Sequence, residues 1–123
     1  MTAENKKQTP LRVLVTAGAS GIGRVIAESF AKSGAHIHIC DIADAAINDA
    51  KKSNPAWGVS HCDVSDENQV LRLFEEAENN LGGLDVLINN AGIAGPTAGV
   101  EHISAADWRR TVDINLNGQF FCT

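Results

Sequence analysis

The chain has 123 residues, 44% of them hydrophobic and 20% charged, a globular balance that excludes wholesale disorder and fits at most one domain. Its formal net charge of −5 argues against a nucleic-acid partner, because phosphate binding requires clustered Lys and Arg side chains. No stretch approaches the roughly 18–20 apolar residues of a membrane helix, and three separated cysteines without a CxxC pair favour a cytoplasmic protein.

The chain begins with a polar segment, MTAENKKQTP, that predicts a disordered arm over residues 1–10, so the folded domain is expected over residues 11–123. The apolar, β-forming run LRVLVT at residues 11–16 predicts a buried strand. A turn of small residues follows, and then Gly34 marks the end of a first helix. The apolar stripe expected for that helix is Ile22, Val25, Ile26 and Phe30.

Two further strands flank a weaker helix. Residues 36–40 (HIHIC) predict the second strand, and residues 56–62 predict the third. Between them, a helical stripe over residues 43–50 stops at Asn54, because a residue that precedes proline disfavours the helical conformation. Ser65, followed by an acidic first turn, is expected to cap the next helix.

The clearest helical stripe in the sequence covers residues 70–81 and ends at Gly82. Residues 84–89 (LDVLIN) predict the fourth strand, and a Gly- and Pro-rich loop follows it. The S-x-x-D spacing at residues 104–107 then predicts a capped last helix that continues past Asn117.

Strands thus alternate with helices four times, which is typical of βαβ units and of a parallel sheet covered on both faces. The predicted fold class is α/β, a Rossmann-type doubly wound sheet in three α/β/α layers, of which this chain holds the first four βα units. The expected strand order is 3-2-1-4, and the fourth strand has an open edge.

The first turn is rich in glycine and has the chemistry of a phosphate-binding loop. Gly18, Gly21 and Gly23 lie between the first strand and the first helix, whose unpaired N–H groups and positive dipole end point to the turn. Asp41 ends the second strand, where a carboxylate can accept hydrogen bonds from the hydroxyls of an adenosine ribose. These features favour a dinucleotide site, and the alternative is a tight strand-to-helix turn without a ligand.

The residues 16–23, TAGASGIG, resemble the T-G-x-x-x-G-x-G motif of the short-chain dehydrogenase/reductase family. One position departs from the motif: its first glycine falls on Ala17, with Gly18 next to it. A methyl group at Ala17 could narrow the turn and change how the pyrophosphate lies.

Three more motifs resemble the family in the same order. Asp63-Val64 matches the acidic position after the third strand, which implies a contact with the adenine amino group. Residues 89–92 (NNAG) match the motif after the fourth strand, which implies a role in the central sheet and against the cofactor. Asp85 fits the start of that strand, and Asn115 matches the asparagine of the catalytic tetrad.

The resemblance implies a set of cofactor-binding residues, Asn115 as a catalytic residue and no metal site. The implied cofactor contacts are Gly18, Ser20, Gly21, Ile22, Gly23, Asp41, Ile42, Asp63, Val64, Asn90, Ala91 and Gly92.

Structural roles are the alternatives at several of these positions. Asp63 could cap a loop by accepting backbone N–H groups, and Asn89 could be a buried amide whose hydrogen bonds are satisfied. Asn115 is expected to face inward, where an amide needs partners for purely structural reasons as well. His36 and His38 share one strand face and are predicted to be strand-surface residues, because no further metal ligands accompany them.

The sequence contains no tyrosine. In the family that it resembles, a Tyr is the general acid/base, a Lys four residues later lowers its pKa, and a Ser polarises the substrate oxygen. We therefore expect the chain to be the N-terminal, cofactor-binding part of a longer oxidoreductase that transfers hydride between a nicotinamide and an alcohol or ketone. The alternative is a non-catalytic dinucleotide-binding or sensing module.

The expected cofactor is NAD rather than NADP, because the charge of Asp41 would repel a 2′-phosphate and Ile42 offers no cation. Arg24 could compensate for that repulsion. The resemblance also implies a small-molecule alcohol or ketone substrate and a homodimer or homotetramer built partly through the last helix.

Overall fold

A computed structural model describes residues 9–123. Four strands alternate with helices: β1 (Arg12–Thr16), β2 (His36–Asp41), β3 (Gly58–His61) and β4 (Val86–Ile88). The helices are α1 (Gly21–Lys32), α2 (Asp44–Ser53), α3 (Glu67–Leu81), α4 (Ala105–Val112) and α5 (Gly118–Cys122). The first eight residues of the expected arm lie outside the described part, so the arm stays a prediction.

The four strands form one parallel sheet in the order β3-β2-β1-β4. Val13 of β1 pairs with Ile37 of β2 on one side and with Val86 of β4 on the other. The predicted α/β fold class and the strand order are therefore confirmed. This order places the carboxyl ends of β1, β2 and β4 along the same edge of the sheet.

Two apolar layers cover the sheet. One contains alternate β1 and β2 residues with small side chains of α1 and α2, such as Ala27 and Ala50. The other contains Leu14 and Cys40 with the inner faces of α3 and of the C-terminal helical segments. Because both faces of each central strand are covered, β1 and β2 read as nearly continuous apolar runs.

One ion pair joins the N-terminal end of β1 to the residue that precedes β4. The Arg12 guanidinium donates Nε to Asp85 Oδ2 at 3.0 Å and Nη2 to Oδ1 at 3.0 Å. Arg12 Nη1 also donates to the Gly82 carbonyl oxygen at 3.0 Å. These contacts fix the start of the fourth strand, the position for which the resemblance singled out Asp85.

Three local predictions are wrong. The cap of α3 is Asp66 rather than Ser65, since the Asp66 carboxylate accepts the N–H groups of Asn68 and Gln69. Ile22 and Val25 are 75% and 66% exposed, because the buried residues of α1 are Gly23 and Ala27, while Phe30 of the predicted stripe is partly buried against the same layer. His38 is buried rather than on the surface.

The C-terminal helical region is not uniform. A π-helical segment, Asp113–Asn117, joins α4 to α5 without a break, and a 3₁₀ turn, Val100–His102, precedes α4. π-Helical turns inside α-helices occur frequently at functional sites. None of the helices between residues 9 and 123 combines the length and the apolar character needed to cross a bilayer.

Candidate functional site

The turn between β1 and α1 packs tightly against the second strand. The Gly18 N–H donates to the Cys40 carbonyl oxygen at 3.0 Å, and a Cβ atom on Gly18 would lie 2.8 Å from the Ile39 Cγ2. Ala17 has a φ of 50°, the left-handed conformation that glycine favours. The alanine therefore takes the backbone shape that the motif glycine would take, and its methyl group does not prevent the turn.

The N-terminus of α1 has free hydrogen-bonding capacity. Ser20 occupies the cap position without a side-chain hydrogen bond, and the first turn contains no acidic residue. By contrast, α3 and α4 are capped by Asp66 and Ser104 and carry acidic residues in their first turns. The first N–H groups of a helix have no partner within it, so α1 can offer these donors and its dipole to an anion.

The loop after β4 holds the turn in place. The Asn90 Nδ2 donates to the carbonyl oxygens of Thr16 and Ala17, at 3.2 and 3.3 Å. The Thr16 hydroxyl oxygen accepts the N–H groups of Asn90 and Ala91, at 3.0 and 2.9 Å. A Cβ atom on Gly23 would overlap with the Ala17 carbonyl oxygen and with the Asn90 amide nitrogen. Position 23, where the start of α1 lies against Ala17 and Asn90, therefore requires glycine.

Asp41 lies at the carboxyl end of β2, next to the turn. Its Oδ2 accepts the Ala19 N–H at 3.2 Å, and its Oδ1 accepts the N–H groups of Ile42 and Ala43 at 2.8 and 3.2 Å. A carboxylate has about four acceptor positions. The three backbone bonds fix the Asp41 side chain and leave capacity for a ligand hydroxyl.

Asp63 follows β3 and is partly buried. Burial raises its pKa, but hydrogen bonds from Ser65 and the charge of Arg110 outweigh that effect, so the pKa lies below its ordinary value. Its backbone N–H donates to the Gln69 side-chain oxygen at 2.8 Å. Asp63 therefore caps its own loop, as the structural alternative proposed, and still presents an ionised oxygen to the cavity.

A cavity of about 170 Å³ joins these elements at the edge of the sheet. It is lined by Ala17, Asp41, Ile42, Cys62, Asp63, Val64, Ala91, Gly92, Ile93, Arg110 and Ile114. Six of the sequence-predicted cofactor residues thus meet in one place. Gly21 and Ile22 instead line an adjacent groove along α1, and Gly18 is buried beneath the turn.

Asn115 lies in the π-helical segment and pairs with the loop after β4. Its Oδ1 accepts the Ile93 N–H at 2.8 Å, and its Nδ2 donates to the Ile93 carbonyl oxygen at 2.7 Å. The side chain thus satisfies both backbone polar groups of Ile93 and fixes the distance between the π-helical segment and that loop. The amide has the structural partners that the alternative expected.

Sequence reasoning missed several residues of this site. Thr16 anchors the loop after β4 through its hydroxyl group, and Cys62, Ile93, Arg110 and Ile114 line the cavity. Arg110 lies one helical turn before Ile114, which is the only sequence signal that it faces the same cavity. A charged residue on an otherwise polar helix surface does not reveal that contact.

The residues present suit a dinucleotide. Gly18 and Gly23 stand where a Cβ atom would clash with neighbouring atoms, so the turn packs closely beside the site. The start of α1 has no side-chain cap and can bind a diphosphate. The carboxylates of Asp41 and Asp63 line the cavity and can accept hydrogen bonds from hydroxyl or amino groups. This combination defines an open α/β protein with a nucleotide-type site at the carboxyl edge of its sheet.

The comparisons with known proteins agree with that class. The family model of the short chain dehydrogenases matches residues 11–123. The chain is 40% identical over 114 residues to a 3beta-hydroxysteroid dehydrogenase of Mediterraneibacter gnavus, covering 89% of this chain and 41% of the relative. It is 39% identical over 112 residues to a cis-4-hydroxycyclohexanecarboxylate dehydrogenase of Sinomonas cyclohexanicum, covering 89% and 45%.

A solved structure shows the same fold. The 3-ketoacyl-(acyl-carrier-protein) reductase of Brucella melitensis, complexed with NADH, matches with a TM-score of 0.86 at 31% identity, covering 89% of this chain and 46% of that one. The chain belongs to the short-chain dehydrogenase family of oxidoreductases. It spans less than half the length of these relatives.

Proposed function

We propose that this chain is the cofactor-binding half of an NAD-dependent oxidoreductase that transfers hydride between the nicotinamide and an alcohol or ketone. The observation that carries the proposal is the uncapped N-terminus of α1 beside Asp41 at one edge of the sheet. The names of the related proteins, which are dehydrogenases and a reductase, support the reaction class.

In this proposal each element binds one part of the cofactor. The turn residues Ser20 and Gly21, with Ile22, would bind the diphosphate through backbone N–H groups. Asp41 would accept the ribose hydroxyls, and Asp63 with Val64 would border the adenine. The loop of Asn90, Ala91 and Gly92 would lie against the nicotinamide half, and Gly18 and Gly23 let the backbone approach.

The charges around Asp41 favour NAD over NADP. The carboxylate would repel a 2′-phosphate, and Ile42 is 54% exposed without offering a cation. Arg24, which could compensate, is engaged elsewhere: its Nη1 lies 2.7 Å from the Asp49 carboxylate, and its Nε lies 3.4 Å from Glu28. A 2′-phosphate would have to compete with both acids for this guanidinium.

An enzyme is favoured over a non-catalytic module. The related proteins are named for oxidations and reductions, and no feature of the described residues favours a sensor. Asn115 is the residue of this chain proposed to take part in catalysis, by holding the loop after β4 beside the reacting groups. The Ser, Tyr and Lys implied by the resemblance are proposed to belong to the complete protein.

Self-association and a reducing location complete the proposal. Trp108, Leu116 and Phe120 form an exposed apolar patch along α4, the π-helical segment and α5, and we place the homodimer or homotetramer contact there. The three cysteines are free and buried, which suits the cytoplasm.

The proposal is tested by calorimetric titration of the protein with NAD and NADP, with an Asp41→Ala variant and an Asp44→Ala control. Asp44 carries the same charge three residues later but lies outside the cavity. We expect Asp41→Ala to weaken NAD binding by about tenfold, because charge-assisted hydrogen bonds to the ribose are lost. The variant should also reduce the difference between the affinities for NAD and for NADP. Unchanged NAD affinity in Asp41→Ala would remove the assigned role.

A further inference from the structure

Arg110 is a cavity residue to which neither the sequence motifs nor the comparisons assign a role. From α4 its Nη1 lies 3.4 Å from the Oδ2 of Asp63, which is 47 residues earlier in the chain. Among the described residues that line the cavity, Arg110 is the single cation, and it shares the cavity with the carboxylates of Asp41 and Asp63. Its position couples α4 to the loop after β3.

The two oxygens of Asp63 have different surroundings. Oδ1 accepts the Ser65 N–H at 3.0 Å and the Ser65 hydroxyl at 2.6 Å, so its acceptor capacity is used within the loop. Oδ2 accepts only the long contact from Arg110 among the described residues. Since each carboxylate oxygen has two lone pairs, Oδ2 can accept another donor while Arg110 stays in place.

The charge of Asp63 decides which donor suits it. Its lowered pKa keeps the group ionised at neutral pH, and an ionised carboxylate is an acceptor only. A purine with an amino group at its 6-position offers an N–H donor to Oδ2. A purine with an oxygen at that position places a second acceptor against a carboxylate, which is unfavourable.

We propose that Arg110 is a positioning residue that holds Asp63 Oδ2 toward the cofactor base and thereby makes the site select adenine over hypoxanthine. This inference rests on the proposed NAD site. Arg110 suits the role because its guanidinium is always charged and geometrically rigid, while the 3.4 Å contact leaves Oδ2 open to the base.

The test compares the dissociation constants of NAD and of its hypoxanthine analogue for wild-type protein, Arg110→Met, Arg110→Lys and Arg109→Met. Arg109→Met is the matched control, because it removes the same charge from the adjacent residue of α4, which lies outside this cavity. Thermal midpoints without ligand are measured for all four proteins, and Arg110→Gln replaces Arg110→Met if that variant does not fold.

We expect wild-type protein and Arg109→Met to prefer NAD over the hypoxanthine analogue by about tenfold. Arg110→Met should lower the preference to within about twofold by weakening NAD binding, and Arg110→Lys should lie between them, because lysine keeps the charge without the planar fork. A purely structural role would weaken both ligands equally and leave the ratio unchanged.

Two results separate this inference from the function on which it rests. If wild-type protein binds NAD and Arg110→Met keeps the wild-type ratio, or binds NAD more tightly, the role of Arg110 is wrong and the proposed function stands. If wild-type protein binds neither dinucleotide, the proposed function is wrong and the inference is wrong with it.

Discussion

Ala17 is the residue at which this chain departs from the motif of its family. Its φ of 50° is left-handed, and an L-residue with a Cβ atom pays roughly 1–2 kcal/mol for that conformation. The surrounding contacts, in which the Ala17 carbonyl oxygen accepts the Asn90 amide and Gly18 packs on Ile39, over-determine the turn. The backbone shape of the turn between β1 and α1 is thus kept without the glycine.

Ala17→Gly should raise the free energy of unfolding by up to about 1 kcal/mol, because relief of strain exceeds the ~0.4–1 kcal/mol of added chain entropy in the unfolded state. Gly21→Ala is the reverse control, since Gly21 has a φ of 57° and a Cβ atom there meets nothing within 4 Å. It should destabilise the protein by about 1 kcal/mol. Urea unfolding measures both, and a destabilised Ala17→Gly would contradict the strain argument.

At the scale of elements, a polar chain joins β2, β3 and α3, with His38 and Ser60 buried at its centre and Asn80 and Glu76 exposed at its ends. Asn80 Nδ2 lies 3.1 Å from His38 Nδ1, and His38 Nε2 lies 2.7 Å from the Ser60 hydroxyl. That hydroxyl donates in turn to the Glu76 carboxylate. The bonds are mutually consistent when His38 is neutral, with its hydrogen on Nε2 and Asn80 donating to Nδ1.

His38 should make the stability of the protein depend on pH. Burial lowers its pKa from 6.5 to about 4, against the opposing effect of Glu76 and with a further lowering by Lys51. Between these two pH values the unfolded chain binds the proton and the folded chain does not, so the free energy of unfolding falls as pH decreases. The expected loss is about 2 kcal/mol between pH ~7 and pH ~5.

Urea midpoints across this pH range measure the effect. A His38→Gln variant should lose most of the dependence of the free energy of unfolding on pH, whatever its absolute stability. A His36→Gln variant changes an exposed histidine on the same strand and should keep that pH dependence. Equal slopes for wild-type protein and His38→Gln would show that His38 is not the titrating group.

The element order and the strand order could be predicted from sequence because three signals agree along the chain. These are the helical spacing of apolar residues, the glycines at helix ends and the runs of strand-forming residues. The packing face of α1 could not be predicted, because Ile22 and Val25 satisfy helical spacing as well as Gly23 and Ala27 do. Spacing identifies an apolar side, but only the close approach of the helix to the sheet decides that small residues face it.

The candidate site was predictable where a motif is local and not where a contact is distant. The turn at residues 16–23 and Asp41 were found because they lie within one βαβ unit. Arg110 meets Asp63 only after the crossover from β3 through α3 to β4 and the loop that follows β4 bring α4 beside the loop after β3. Asp66 displaced Ser65 as the cap because the Ser65 hydroxyl is already bonded to Asp63.

At the scale of the whole molecule, an apolar patch on the C-terminal helical segments stays largely exposed, although the Phe120 ring has an edge contact with the Phe121 ring. Trp108, Leu116 and Phe120 are 60%, 65% and 78% exposed. They are spaced eight and four residues apart, and the wider π-helical turn keeps them near one side of the helix. Large exposed apolar patches mark interaction sites in soluble assemblies.

A Phe120→Asp variant should therefore shift the protein toward monomer in sedimentation velocity, because burying an unpaired charge in an apolar contact is unfavourable. Leu71→Asp is the control, since Leu71 is also exposed, at 59%, but lies on α3 outside the patch. A sedimentation profile of Phe120→Asp that matches wild-type protein would place the contact elsewhere.

The central claim is that the backbone N–H groups at the start of α1 bind the diphosphate of a dinucleotide, and an NMR titration of the protein with NAD tests it most directly. The account predicts that the amide signals of Ser20, Gly21 and Ile22 shift strongly on binding. The amides of Asn68 and Gln69, which Asp66 already caps, should not shift. Binding that leaves the three α1 signals in place would contradict the account.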